Sequence, residues 1–112
     1  MKKIAMLNCL KSNEVCTGAA CMKAFYERKK FFARYEGEEV EVRAFFRCNG
    51  CGKNPEEDAG MTEKLDRLVQ EGITVVHTGV CTKKKDGTEC GTITKLVEMI
   101  RQRGISVVRG TH

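Results

Sequence analysis

The residues of this chain with the widest chemical use are its seven cysteines, which are Cys9, Cys16, Cys21, Cys48, Cys51, Cys81 and Cys90. Thiolates bind zinc, iron and iron–sulfur clusters, and pairs of thiols exchange with disulfides. Cys48 and Cys51 belong to a Cys-Asn-Gly-Cys-Gly segment, and this spacing with glycine is typical of metal-binding knuckles. Dithiol catalysts share the spacing but need a helix that starts at the motif, which Pro55 opposes. The motif therefore favours a metal ligand over a dithiol.

The start of the chain bears on whether these cysteines are reduced. Met1, Lys2 and Lys3 resemble the basic end of a signal peptide, but the apolar residues 4–7 that follow are too few for its core. No apolar run approaches the roughly 20 residues that span a bilayer. We therefore expect a cytoplasmic protein without a membrane segment. In that compartment thiols serve metal or redox chemistry, and the odd number of cysteines agrees with this.

Length and charge limit the other possibilities. The 112 residues suit one domain covering 1–112, and 41% hydrophobic against 31% charged residues excludes disorder. The net charge of +5 comes largely from residues 27–30 with Arg34, which we place on the polar face of a helix, and from the loop lysines Lys83, Lys84 and Lys85. Aromatic residues are not interleaved with these basic residues, which argues against a nucleic-acid partner.

Hydrophobic periodicity predicts the order β-α-β-α-β-α-β. The predicted strands are 3–7, 39–46, 73–77 and 105–108, and the predicted helices are 18–35, 58–71 and 92–104, the last with Thr92 as N-cap. Helical connections between strands make right-handed crossovers and a mostly parallel sheet covered on both faces. The prediction is a doubly wound α/β fold with four strands in the flavodoxin-like order 2-1-3-4.

This order gathers the cysteines at one edge of the sheet. Cys9 follows the first strand, Cys48 and Cys51 the second, Cys81 the third, and His112 the fourth. The carboxyl ends of parallel strands share one edge, where open α/β sheets bind ligands. Four of these cysteines, or three with His112, satisfy tetrahedral zinc or iron, and four thiolates also suit an iron–sulfur cluster.

The remaining candidates are a second group. Cys16, Cys21 and Cys90 lie in the same loops or at the helix starts, where amides stabilise a thiolate. Cys21 falls on the apolar stripe of the first predicted helix, so packing is as good an explanation for it as ligation. His77 lies within a strand after two valines and is interpreted as a core histidine.

Several enzyme classes lack their signatures here. No cysteine is followed six positions later by the arginine of a low-molecular-weight phosphatase loop, and neither a P-loop nor a Gly-x-Gly-x-x-Gly motif is present. The sequence thus indicates no nucleotide cofactor. It leaves open whether the protein is an enzyme.

The whole cysteine pattern resembles the CGGC domain family. The resemblance rests on Cys9 after strand one, Cys16-x-Gly18-x-x-Cys21 opening a helix, Cys48-x-Gly50-Cys51 after strand two, Cys81 with Cys90, and the terminal Gly110-Thr111-His112. Asn49 stands where the family's name has its first glycine. The family groups small cysteine-rich proteins of anaerobes that are described as metal-binding. The resemblance implies a metal set of Cys9, Cys16, Cys21, Cys48, Cys51, Cys81, Cys90 and His112.

Three hypotheses follow. The first is a thiolate-ligated zinc, iron or iron–sulfur site, with Cys9, Cys48, Cys51 and Cys81 as the preferred ligands because strand one lies between strands two and three. The second is a thiol–disulfide redox protein that uses Cys48 and Cys51. The third is an anion or nucleic-acid binder that uses the three loop lysines.

Overall fold

Four parallel strands define the architecture. The computed structural model describes residues 1–112, apart from the side chain of Asn13. The strands β1 (Lys2–Asn8), β2 (Val40–Arg47), β3 (Val75–Thr78) and β4 (Ser106–Arg109) form one sheet in the order β2-β1-β3-β4. All three pairings are parallel, so the predicted fold class and strand order are confirmed.

Three α-helices connect these strands: α1 (Ala19–Tyr26), α2 (Ala59–Gln70) and α3 (Gly91–Gln102). The Asp58 carboxylate caps α2 by accepting hydrogen bonds from the Gly60 and Met61 amides. Cys90 is the N-cap of α3, so the prediction of Thr92 was wrong by two residues. The helix starts earlier because the Cys90 carbonyl already accepts the Thr94 amide. None of the described helices is long and apolar enough to span a membrane.

The first predicted helix, residues 18–35, is in fact interrupted. α1 ends at Tyr26, Arg28 and Lys30 adopt the left-handed conformation (φ 53° and 54°), and a 3₁₀ helix covers Lys30–Tyr35. The Lys29 amide donates to the Ala24 carbonyl, which closes a Schellman-type end without glycine. The prediction was wrong here because the helix ends at an arginine in the left-handed conformation, whereas the usual sequence signal for such an end is glycine. Arg28 and Lys29 therefore lie between the two helices, and Lys30 lies in the 3₁₀ helix, so these basic residues do not share the polar face of one long helix.

The sheet is covered on both faces because β1 is apolar on both sides. Ile4 and Met6 pack with α1 and with Phe32 of the following 3₁₀ helix. Ala5 and Leu7 point to the other face, against α2 and α3. Strand β1 thus lies between β2 and β3 in the sheet and contributes side chains to the core on both faces.

His77 on β3 is a buried structural residue, as interpreted from the sequence. Its side chain is fully buried, with Nδ1 2.8 Å from the Gly110 carbonyl oxygen and Nε2 2.7 Å from the Tyr35 hydroxyl. A carbonyl only accepts, so Nδ1 carries the proton and Nε2 accepts from Tyr35. Burial lowers the pKa of His77 to about 4. The charge of Arg34 also lowers this pKa, whereas the hydrogen bond to the Gly110 carbonyl raises it.

Acidification should therefore destabilise the fold through His77. In the unfolded state His77 takes up a proton near pH 6.5, whereas in the folded state it does so only near pH 4. The stability that neutral His77 contributes is therefore complete above pH 6.5 and is lost as the pH falls toward 4. The loss corresponds to about 3 kcal/mol. Urea unfolding between pH 7 and pH 4 should show this slope, and His77→Gln should remove it. An NMR titration that gives His77 a pKa near 6.5 in the folded protein would contradict the assignment.

Candidate metal centre

Three cysteines follow the ends of three neighbouring strands. Asn8 of β1 is paired with Arg47 of β2, and Leu7 is paired with Thr78 of β3, so these strands end at the same level. Cys9 and Cys48 come directly after their strands, and Cys81 follows β3 after a short turn. Cys48 is buried, while Cys9 and Cys81 are half-buried. The sheet thus places one thiol from each strand at one edge.

Backbone amides of the loop after β1 point at the sulfurs on both sides. The Cys9 amide lies 3.3 Å from Cys81 Sγ, and the Leu10 amide lies 3.4 Å from Cys48 Sγ. The loop is held in this position by the Ser12 hydroxyl, which donates to the Cys9 carbonyl at 2.8 Å. Amides that donate to sulfur favour the thiolate, the form that binds metals.

The thiols of Cys48 and Cys81 affect the ionisation of Cys9. Burial raises the pKa of the Cys9 thiol, and the sulfurs of Cys48 and Cys81 add to the increase, while the Lys11 and Ser12 amides oppose it. Negative charge on either of these two sulfurs therefore disfavours charge on Cys9. A cation beside Cys9 would reverse this effect.

Asn8 contributes a polar side chain beside Cys81 that the sequence analysis did not single out. Its carboxamide is buried, Oδ1 lies 3.5 Å from Cys81 Sγ, and Nδ2 has no hydrogen-bond partner among the described residues. Gly79 makes room for it, because a Cβ there would collide with Asn8 Oδ1. The one sequence signal for Asn8 is its place as the polar residue that ends an apolar strand.

The Cys48–Cys51 segment is clamped to α2 through Asn49. Its carboxamide accepts from Lys64 Nζ at 2.7 Å and donates to the Asp58 carboxylate at 3.0 Å. The Asn49 hydrogen bond lowers the pKa of Asp58; desolvation opposes it, and the Met61 and Gly60 amides and the charge of Lys53 lower the pKa further. Asn49 thus links the cysteine loop to the residue that caps the helix. No sequence pattern marks Lys64 for this role.

Cys51 and Cys90 lie outside the three strand-end thiols. Cys51 is exposed in the loop after β2, and Cys90 is half-buried at the N-cap of α3. Burial acts to raise the pKa of Cys90, but the Ile93 and Thr92 amides, the Thr92 hydroxyl and the Cys51 thiol outweigh it and lower the pKa. Ligation by Cys51 or Cys90 stays a prediction.

Cys21, Thr111 and His112 form a third group. Cys21 Sγ lies 3.2 Å from the Thr111 hydroxyl and 3.7 Å from His112 Nδ1. Burial raises the pKa of Cys21, the Thr111 hydroxyl opposes this, and Cys81 and Cys16 add to the increase. Cys16 is exposed, and its sulfur accepts the Gly18 amide at 3.3 Å. Cys21 is buried, which agrees with its interpretation as a packing residue. Its sulfur also lies close to His112, another predicted ligand.

The structure does not bring the predicted ligands to one point. Within the part of the chain that the structure describes, no three His, Cys, Asp or Glu side chains already surround one point as metal ligands. The donor chemistry at the ends of β1, β2 and β3 nevertheless fits a soft or borderline metal ion, because one thiol follows each strand and backbone amides donate to two of the three sulfurs.

Fold and site together define a doubly wound α/β domain with a cysteine-rich edge. The family model of the CGGC domain matches residues 3–112, so the chain belongs to the CGGC domain family. This family is suggestive of metal binding. Comparisons with curated proteins and with solved structures find no match.

The hydrogen bonds of Asn49 predict that glycine, the residue that the family's name has at this position, destabilises the fold. Asn49→Gly removes two hydrogen bonds in which a charged group takes part, so we expect the free energy of unfolding to fall by about 1–2 kcal/mol in urea denaturation. Glu63→Ala on the same helix breaks only an exposed ion pair with Arg67 and should cost less than about 0.5 kcal/mol. Equal losses in the two variants would show that the clamp does not stabilise the loop.

Proposed function

We propose that this domain binds a zinc or iron ion, or an iron–sulfur cluster, through the thiolates of Cys9, Cys48 and Cys81. The observation that carries the proposal is the position of these three residues after the ends of adjacent parallel strands, with backbone amides that donate to the Cys81 and Cys48 sulfurs. Membership of the CGGC domain family supports the same function.

The environment of the three thiols favours a cation. Burial and the Cys48 and Cys81 sulfurs raise the pKa of Cys9 and keep its thiol protonated, and a bound positive ion would offset both effects by favouring the thiolate. Asn8 Nδ2 is the complementary feature, because it is a buried donor without an acceptor among the residues that the structure describes. When Cys81 is a thiolate, a rotation of the Asn8 carboxamide lets Nδ2 donate to that sulfur and satisfies both groups.

Three protein ligands define what such a site can do. With zinc, three ligands leave a position for water or substrate, as in catalytic zinc sites, and the bound metal would supply Lewis acidity there. Cys9 and Cys81 remain half-buried, so the edge is open to a small molecule. We place the protein in the cytoplasm, because thiols stay reduced in that compartment. Residues 1–112 would act there as one domain.

Metal content should follow the three strand-end cysteines. Protein purified without oxygen should hold about one equivalent of zinc or iron, or show a visible iron–sulfur band, and Cys48→Ser should lower both the metal content and the melting temperature. Elemental analysis, absorption and thermal unfolding are the measurements. Cys16→Ser is the control, because Cys16 is exposed and its sulfur bonds within its own loop. A metal-free wild type, or equal metal loss in both variants, would overturn the proposal.

Asn8 should control how tightly the metal is held. Asn8→Leu keeps the bulk of the side chain but removes the donor to Cys81, so we expect a 10–100-fold weaker metal affinity in competition with a chelator. The metal-free variant should be about as stable as the metal-free wild type, since it no longer buries an unpaired donor. Unchanged affinity would exclude a role for Asn8 at the metal.

A further inference from the structure

A small cavity lies at the carboxyl edge of the sheet, between the turn that follows β3 and the end of β4. Its volume is about 50 Å³, which leaves room for a few water molecules or for one small oxyanion. The residues that line it include Phe31, Gly79, Val80, Lys83, Arg109 and His112. None of these is a proposed metal ligand, so the cavity is a separate feature of the edge.

Arg109 is held in place by its neighbours. Its Nε and one terminal nitrogen donate to the Glu89 carboxylate at 2.8 and 3.3 Å, and the Thr94 hydroxyl in turn donates to Glu89 at 2.8 Å. A guanidinium carries five N–H donors, so this pairing leaves three of them for a ligand. Arg109 is also exposed, so a ligand can reach these donors, and their planar arrangement matches two oxygens of an oxyanion.

Lys83 brings a second positive charge to the cavity. Its backbone pairs with that of Glu89 in an antiparallel bridge, which fixes the start of the loop beside Arg109. Glu89 balances one of the two positive charges, so one remains in excess and attracts an anion. His112 adds a ring nitrogen, because its Nδ1 lies 3.1 Å from the Thr111 hydroxyl and its Nε2 is left for a ligand.

Two glycines allow the cavity to lie against the backbone. A Cβ on Gly79 would lie 3.4 Å from Cys81 Sγ, so the wall of the cavity is also a neighbour of the proposed metal site. A Cβ on Gly110 would collide with the Phe31 ring, so Phe31 packs directly on the chain after β4. The cavity thus borders the strand-end thiols and has an aromatic ring on its other part.

We propose that this cavity binds a small oxyanion of the phosphate type through Arg109, Lys83 and His112. Guanidinium and ammonium groups donate and cannot accept, so a ligand rich in acceptor oxygens fits them. The same oxyanion chemistry is offered by a free ion and by the end of an organic phosphate ester. An ester could place its organic part on Phe31 and Val80, which are 40% and 57% exposed.

The first test measures the binding of inorganic phosphate by isothermal titration calorimetry in a phosphate-free buffer. We expect about one equivalent to bind per chain, and Lys83→Gln should weaken binding about tenfold or more, because a charged hydrogen bond to the anion is lost. Lys84→Gln is the matched control, since it removes the same charge from a loop residue that does not line the cavity. It should weaken binding less than about threefold at physiological ionic strength.

Arg109→Lys tests the planar donors separately from the charge. The variant keeps the net charge but replaces the fork of donors by one ammonium, so binding should again weaken about tenfold. If this variant fails to fold, Lys83→Gln decides alone. Phenyl phosphate distinguishes the two sources of the oxyanion, because tighter binding than that of inorganic phosphate indicates an ester and weaker binding indicates the free ion. Absence of saturable phosphate binding, or equal weakening by Lys83→Gln and Lys84→Gln, would overturn the oxyanion site.

The result is separable from the metal proposal. The wild-type protein should bind phosphate after its metal is stripped with a chelator, and Lys83→Gln should weaken this binding as it does in the untreated protein. A protein that holds no metal at all should also bind phosphate. Binding that disappears with the metal would instead place the phosphate on the metal ion and would overturn the cavity as its site.

Discussion

The parallel pairing of β1 with β2 and β3 is the constraint on which the rest of this structure depends. Because both neighbours run in the same direction as β1 and end at the same level, the residues that follow them meet at one edge. The backbone after β1 then donates to sulfurs on either side, from Cys9 to Cys81 and from Leu10 to Cys48. A shift in strand order would separate these groups.

A buried polar network gives the end of the chain an equally definite place. His77 is held between the Tyr35 hydroxyl and the Gly110 carbonyl, and this carbonyl begins the final segment. Thr111 is consequently buried, and its hydroxyl reaches the Cys21 sulfur on α1. The hydrogen bond from His77 to Gly110 thus holds the last residues beside α1, where His112 lies close to the Cys21 sulfur.

Chemically identical side chains have different environments within this small edge. The strand-end thiols are buried or half-buried, and backbone amides donate to the sulfurs of Cys48 and Cys81, which suits the binding of a cation. Cys21 is buried, with its sulfur 3.2 Å from the Thr111 hydroxyl. Cys16 and Cys51 are exposed.

The sequence by itself determined the fold class, because alternating hydrophobic periods and glycine stops such as Gly72 are local signals. It also determined which cysteines share an edge, since a doubly wound order sends every strand end to the same side. It did not determine the break after Tyr26, where arginine takes the left-handed conformation usual for glycine. Only the tertiary structure decided which sulfurs are neighbours. The Cys81 sulfur accepts the Cys9 amide, the Cys48 sulfur accepts the Leu10 amide, and the Cys21 sulfur contacts the Thr111 hydroxyl. Each of these contacts joins residues far apart in the chain, on which the local spacing of cysteines carries no information.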